Sequence, residues 1–245
     1  MENYTGFAEV YDEMMVNIPY LQWEDYLLQL LYLNNVKPDA SILELGCGTG
    51  TMTALLSEDG FDISGIDLSE DMLRIAREKY PEIVFDRMDM RELAVEKKKD
   101  VIISVADSMN YLESADDMTQ VMKCVKESLL PGGVFIFDLK TEFFFKYTVG
   151  DRTFRGKEKS FSYVWKNQYN EEEKYHLYDV SIIRKGPDKK RTIHNEVHKQ
   201  RVFSAEEIKT AAQAAGFKRA KVYGNMTFEK PRKNSERIYV VLQRS

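Results

Sequence analysis

SILELGCGTGTMTALL, residues 41–56, sets glycines at 46, 48 and 50 between two apolar runs. SILEL reads as a buried strand, and TMTALLSEDG reads as a helix that closes before Gly60. Glycine inside a regular element costs stability, so this cluster implies that something must approach the backbone closely. A strand, a glycine-rich turn and a helix together make a site for a nucleotide-like ligand, because free N–H groups at the helix start point at it. The dinucleotide fingerprint G-x-G-x-x-G/A fits Gly46 and Gly48, but Thr51 stands where its third small residue belongs. The third glycine is Gly50, and Glu44 precedes the turn.

Outward from this stretch, strands and helices alternate. DISGID is a second strand, and SEDMLRIAREKY is a helix with Ser69 as its N-cap and two acids in its first turn. IVFDRMD and DVIISV follow as strands, then a helix carries Met118, Val121, Met122, Val125 and Leu129 at helical spacing. Pro131-Gly132-Gly133 stops it before the strand VFIFDL. Two helical stretches, FAEVYDEMM and YLQWEDYLLQLLYL, come first. Such alternation argues for a parallel sheet with helices on both faces.

The period changes to two between Thr153 and Phe203. Phe161, Tyr163 and Trp165 share one side of a strand. His176, Tyr178, Val180 and Ile182 share a side of the next, and His194, Glu196 and His198 a side of a third. YNEEEK and KGPDKK are turns, so this is an antiparallel meander set into an α/β chain. SAEE at 204–207 is a capping box, and KRAKVYG and RIYVVLQR are two final strands.

The 245 residues allow one large α/β domain or one domain with an appendage. Residues 1–149 carry 13 Lys and Arg against 28 Asp and Glu, whereas residues 150–245 carry 22 against 12. A basic half can attract an anionic partner. No Lys/Arg run exceeds three residues, which favours a solvated charged surface. No apolar run approaches the ~20 residues that span a bilayer, and the acidic, aromatic start does not read as a signal peptide. With only Cys47 and Cys124, no disulfide framework is expected, and the expected compartment is the cytoplasm.

ELGCGTG resembles the first motif of the class I S-adenosylmethionine (SAM)-dependent methyltransferases. GIDLSEDML, FDRMDMREL, DVIISVADSMNYL and LLPGGVFIFDL resemble motifs that follow it in that family. The resemblance covers about residues 4–140 and the last two strands, and its β-insert is similar to that of a bacterial small-molecule-type subgroup. It implies SAM as cofactor and a Rossmann-like, doubly wound seven-stranded sheet of order 3-2-1-4-5-7-6, with strand 7 antiparallel. Residues 1–145 and 201–245 would form the SAM-binding domain, and residues 146–200 an antiparallel β lid. The glycine turn (Gly46, Cys47, Gly48, Gly50) would hold the cofactor through its backbone. Asp67 would hold both ribose hydroxyls, Asp89 the adenine amine and Met90 the ring, with Leu68, Met72 and Ala106 in the same pocket. Glu44 would reach the methionine amino group or orient the turn. The first helix, where Tyr4 and Tyr11 lie at helical spacing, would cover the cofactor with Tyr11 at its methionine end.

The acceptor is less legible. ADSMNY carries neither the Asn/Asp-Pro-Pro-aromatic motif of amino methylation on DNA bases nor a Pro-Cys nucleophile. Asp107, Ser108 and Asn110 in that stretch, and Tyr163, Trp165, His194 and His198 in the insert, are candidates to face the acceptor. His194 and His198 have ligand-like spacing, but on a strand they stand about 13 Å apart, so no metal is assigned. The expected activity is methyl transfer to N or O of a small molecule, with no membrane partner. The alternatives are an RNA or protein methyltransferase using the basic half, and a SAM-binding regulator without catalysis.

Overall fold

The computed structural model describes residues 7–185 and 191–245. Tyr4 and most of the KGPDKK turn lie outside the described residues. Two helices, α1 (Ala8–Met14) and α2 (Tyr20–Leu33), precede the alternating core. That core runs β1 (Ser41–Leu45), α3 (Thr51–Glu58), β2 (Asp62–Asp67), α4 (Glu70–Lys79), β3 (Phe85–Arg87), β4 (Lys99–Ser104), α5 (Ala115–Ser128) and β5 (Leu129–Lys140). Four strands follow: β6 (Thr153–Lys157), β7 (Phe161–Asn170), β8 (Tyr175–Lys185) and β9 (Arg191–Arg201). The chain then ends through α6 (Ala205–Ala214), β10 (Ala220–Gly224) and β11 (Arg237–Gln243).

The first sheet has the order β3-β2-β1-β4-β5-β11-β10, with β11 antiparallel to β5, as the motif order implies. Its strands are buried on both faces. Leu43, Leu45, Ile102, Phe135 and Phe137 pack toward α5 and α6, while Ile42, Val101, Ile103 and Ile136 pack toward α2 and α3. The Ser69 and Ser204 caps both form, the second as a complete capping box. One element departs from its sequence reading. Pro131-Gly132-Gly133 does not precede β5 but sits within it: pairing with β4 passes from Leu129 opposite Lys99 to Val134 opposite Val101, so the intervening residues bulge out.

The second sheet is an antiparallel meander, β6-β7-β8-β9, one strand more than the alternation suggests. Its inner face is not free. Phe161, Tyr178, Val180 and Ile182 pack on Phe7, Ala8 and Val10 at α1, on Met72 of α4, and on Phe145 and Val149 of a π-helical turn, Phe144–Val149. Asn110 ties this sheet to the first. Its amide donates to the backbone oxygens of Arg201 (2.8 Å) and Lys140 (3.2 Å), and its oxygen accepts from Lys140 N–H (2.9 Å). The meander therefore stands over the carboxyl ends of β4 and β5, where open α/β sheets bind ligands. Among the described residues no helix is long and apolar enough to cross a membrane.

Candidate active site

A cavity of about 620 Å³ opens at the carboxyl ends of β1, β2, β4 and β5, beneath the meander. This size is ordinary for a small-molecule site. Its floor is the glycine turn. Gly46 and Cys47 donate their N–H groups to Ile66 O (2.7 and 3.0 Å), which pins the turn against the end of β2. A Cβ built on Gly48 would meet nothing within 4 Å, so the backbone there faces open space.

Asp67, the last residue of β2, accepts from Gly48 N–H on Oδ2 and from Ser69 N–H on Oδ1, both at 2.8 Å. Each carboxylate oxygen keeps a further lone pair, and Asp67 lines the cavity. Burial raises its pKa, and the backbone donors partly offset the shift. Glu44 lies deeper, 2 % exposed, with Thr53 donating to its Oε2 at 2.5 Å. Burial, reinforced by the Asp67 charge, lifts the Glu44 pKa to about 8. A cationic group arriving there would favour the ionised form.

At the outer end, Asp89, Met90, Leu68 and Met72 line the wall. Asp89 accepts from Arg91 N–H (2.9 Å) and from its guanidinium (2.6 Å), which holds the Asp89 carboxyl below its ordinary pKa. Among the described residues no group of three or more His, Cys, Asp and Glu side chains could hold a metal ion.

The inner end is built around Asp107. Ala106 and Asp107 both take left-handed backbone, at φ 58° and 60°. Two such non-glycine residues in succession are a strained arrangement of the kind found where a site fixes its geometry. Asp107 accepts from Gln200 Nε2 (2.7 Å), Lys140 Nζ (2.9 Å) and Arg237 Nη2 (3.0 Å). Arg237 also pairs with Asp138, whose Oδ1 accepts from Asp107 N–H at 2.9 Å. The cations prevail at Asp107, whose pKa stays low despite burial. Around this charge-matched cluster stand Tyr11, Tyr20, Trp23, Tyr111, Trp165 and Tyr178. Because Gln200 turns its nitrogen to Asp107, its oxygen faces elsewhere. Gln200 Oε1 and Trp165 Nε1 are buried with no hydrogen-bond partner among the described residues.

The methyltransferase-domain family matches residues 19–222. The chain belongs to the class I SAM-dependent methyltransferases. This methyltransferase is 34% identical to YqeM of Bacillus subtilis, a protein classed as a methyltransferase, over 99% of this chain and 97% of that one. It is 27% identical to the dTDP-3-amino-3,6-dideoxy-alpha-D-glucopyranose N,N-dimethyltransferase of Streptomyces fradiae, over 72% of this chain and 69% of that one. Among solved structures, a SAM-dependent methyltransferase from Clostridium acetobutylicum superposes with a TM-score of 0.83 at 26% identity, covering 99% of both chains.

Of the residues singled out in the sequence, Tyr11, Glu44, Gly46, Cys47, Gly48, Asp67, Leu68, Met72, Asp89, Met90, Ala106, Asp107, Ser108, Trp165 and His198 line the methyltransferase cavity. Four do not. Gly50 is turned away from it: a Cβ there would strike the Phe85 ring at 2.7 Å, so its role is packing. Asn110 is fully buried and spends its amide on the backbone bonds that join the two sheets. Tyr163 covers Gly156 across the β6–β7 pair. His194 shares the inward side of β9 but lies exposed beyond the cavity, near Glu9 of α1. The sequence reading missed Lys140, Gln200, Arg237, Tyr20, Trp23 and Tyr111 as wall residues. The charged ends of VFIFDLK and RIYVVLQ were the available signal for Lys140 and Arg237.

Proposed function

We propose that the cavity binds SAM along the glycine turn and methylates an amine or hydroxyl of a small molecule held between the turn Ser108–Tyr111 and the inner face of the meander. The observation that carries the reading is Asp67. Its carboxylate is locked by two backbone N–H groups, yet keeps lone pairs at the cavity, an arrangement suited to a vicinal diol. The open space at Gly48 and the buried carboxyl of Glu44 fit the rest of the group. In this assignment Asp67 takes the ribose hydroxyls, Asp89 and Met90 the adenine edge, and Glu44 the methionine ammonium. Residues 1–145 and 201–245 supply the cofactor-binding domain and residues 146–200 a lid, with the acceptor between that lid and the turn Ser108–Tyr111. When bound, SAM supplies a methyl carbon already activated on a sulfonium, so the chain's own contribution is orientation, exclusion of water and handling of the acceptor's proton.

Two features of the cavity favour a small acceptor. The inner end is roofed by the meander and walled by aromatic rings rather than open to a strand of nucleic acid. Lys140 and Arg237 are matched by Asp107 and Asp138, so no cationic excess is left for a phosphate backbone. The amino-sugar N,N-dimethyltransferase among the relatives acts on a substrate of this size class.

The test has two stages. Calorimetry should show SAM binding, and a screen of amino sugars, amines and phenols should then find one that releases S-adenosylhomocysteine. Absence of SAM binding would overturn the cofactor assignment. Transfer to RNA or protein substrates but to none of the small molecules would overturn the acceptor assignment.

A further inference from the structure

Among the described residues, neither the acids at the cavity nor His176 and His194 are placed to take the acceptor's proton. Asp107 already accepts from three donors, and its pKa is lowered. Asp89 is held by Arg91, and Glu44 lies behind the glycine turn against Thr53. His176 stacks under Phe145 and faces Asn167, and His194 is exposed. One chain of ionisable groups does lead from the cavity wall into the meander. Tyr111, at the end of the turn Ser108–Tyr111, has its hydroxyl 3.4 Å from His198 Nδ1. His198 Nε2 lies 3.3 Å from Glu196 Oε2. Both side chains are well buried, at 4 % and 11 % exposure. Glu196 is fixed in turn, because its Oε1 accepts the Phe7 N–H at 2.9 Å.

This arrangement defines a direction. The negative carboxylate beside Nε2 favours the imidazole proton on that nitrogen, which leaves Nδ1 to accept from the Tyr111 hydroxyl. Tyr111 and His198 both line the cavity, whereas Glu196 stands behind them. The Tyr111–His198 contact is long, and His198 Nε2 and Glu196 Oε2 stand at ion-pair distance without hydrogen-bond alignment; catalytic contacts are often long or misaligned before substrate tightens them.

We propose that Tyr111, His198 and Glu196 form a proton relay in which Tyr111 Oη touches the methyl acceptor and takes its proton. The proposal rests on the methyltransferase reading of the cavity. In the step, the acceptor's nitrogen or oxygen bonds to the methyl carbon as the carbon–sulfur bond breaks, its electron pair staying on sulfur. The acceptor's proton passes to Tyr111 Oη while the proton of Tyr111 passes to His198 Nδ1, and the Glu196 carboxylate stabilises the imidazolium. The relay suits an acceptor whose N–H or O–H does not ionise unaided at neutral pH. Other ionisable groups surround it without replacing it. Tyr178 pairs across from His198 on β8, Tyr11 of α1 lies near Tyr111, and the Asp107–Lys140–Arg237 cluster lies near Tyr11 and Tyr178.

The chain has three histidines, so protein labelled with ¹⁵N in its imidazoles can be assigned by His176→Gln and His194→Gln. With S-adenosylhomocysteine bound, neutral His198 is expected as the Nε2–H tautomer. Tyr111→Phe should move the His198 Nδ1 resonance and leave those of His176 and His194 in place. Glu196→Ala, which removes the carboxylate beside Nε2, should move neutral His198 toward the Nδ1–H tautomer. An Nδ1–H tautomer in the parent, an unmoved Nδ1 resonance in Tyr111→Phe, or an unchanged tautomer population in Glu196→Ala would each overturn the relay. Affinity for S-adenosylhomocysteine, measured on the same variants, should stay within about threefold of the parent, because none of the three residues is assigned to the cofactor. Loss of that affinity in the unmodified protein would instead count against the cofactor reading.

Discussion

Gly48 donates its backbone N–H to Asp67 Oδ2 at 2.8 Å, so the side chain that ends β2 also holds the turn that ends β1. Asp67 thereby has two tasks, shaping the glycine turn and presenting free lone pairs to the cavity. Asp67→Ala should remove both. Charge-assisted hydrogen bonds are worth about 1.5–3 kcal/mol each, so SAM affinity should fall on the order of a hundredfold or more. Asp67→Asn keeps one carbonyl oxygen and should fall between the two. Calorimetry decides the matter, and an Asp67→Ala protein that binds SAM as well as the parent would refute the assignment.

Glu44 gives the fold a specific pH dependence. Its pKa rises from 4.5 to about 8 in the folded chain, so between those values the native state holds a proton that the unfolded state has lost. Stability from this group is therefore greatest below about pH 4.5 and declines as pH rises toward 8. The limiting slope is about 1.4 kcal/mol per pH unit. Glu44→Gln, which cannot ionise, should flatten that decline while keeping the Thr53 contact. Thermal melts of both proteins across pH 5 to 8 measure the difference, and parallel curves would show that Glu44 does not titrate in this range.

Two of the glycines should separate binding from stability. Gly50 has φ +78° and no room for a Cβ beside Phe85, so Gly50→Ala adds backbone strain to a clash. A loss of about 2–4 kcal/mol is expected. Gly48 has φ +54° but open space, so Gly48→Ala should cost about 1–2 kcal/mol of strain and intrude on the ligand. Urea denaturation and SAM titration together test this. Gly50→Ala should be the less stable protein and Gly48→Ala the weaker binder.

How far the sequence could be read follows from where each contact closes. The glycine turn, Asp67 and the Ser69 cap lie within about thirty residues, and β1 and β2 pair directly, so local pattern carries them. The inner end is assembled from Asp107, Asp138, Gln200 and Arg237, whose partners lie far apart in the chain, and no local spacing encodes that meeting. Period-two alternation found the meander but could not show that its apolar face is already covered by α1, α4 and the π turn. His194 and His198 share a face of β9, and only the length of the cavity beneath the strand separates them.

Asp107→Asn should be costly. It leaves Lys140 and Arg237 facing one buried carboxylate, Asp138, and breaking a buried ionic network by removing one member costs about 3–5 kcal/mol. The substitution should also loosen the meander, because Gln200 loses its ionised partner. Chemical denaturation reads the first effect. A loss under about 1 kcal/mol would mean that the cluster is solvated in solution.

Helix α1 crosses from the meander to the glycine turn. Asp12 clasps its far end: Oδ1 accepts from Thr49 Oγ1 at 2.6 Å, and Oδ2 pairs with Lys79 Nζ at 2.6 Å. Lys79 also reaches Thr49 O and Thr51 Oγ1 at 3.4 Å, so the clasp bridges α1, the turn and the end of α4. Its groups are partly exposed, and such pairs contribute about 0–1 kcal/mol to folding. Their effect on the ligand should be larger in rate than in stability, because Tyr11 on the same helix lines the cavity, so freeing α1 loosens that wall. Asp12→Ala should therefore melt within a few degrees of the parent yet release S-adenosylhomocysteine several-fold faster. Both tryptophans of the chain, Trp23 and Trp165, line the cavity, so stopped-flow fluorescence can follow release without a label. Equal release rates would show that the helix does not gate the site.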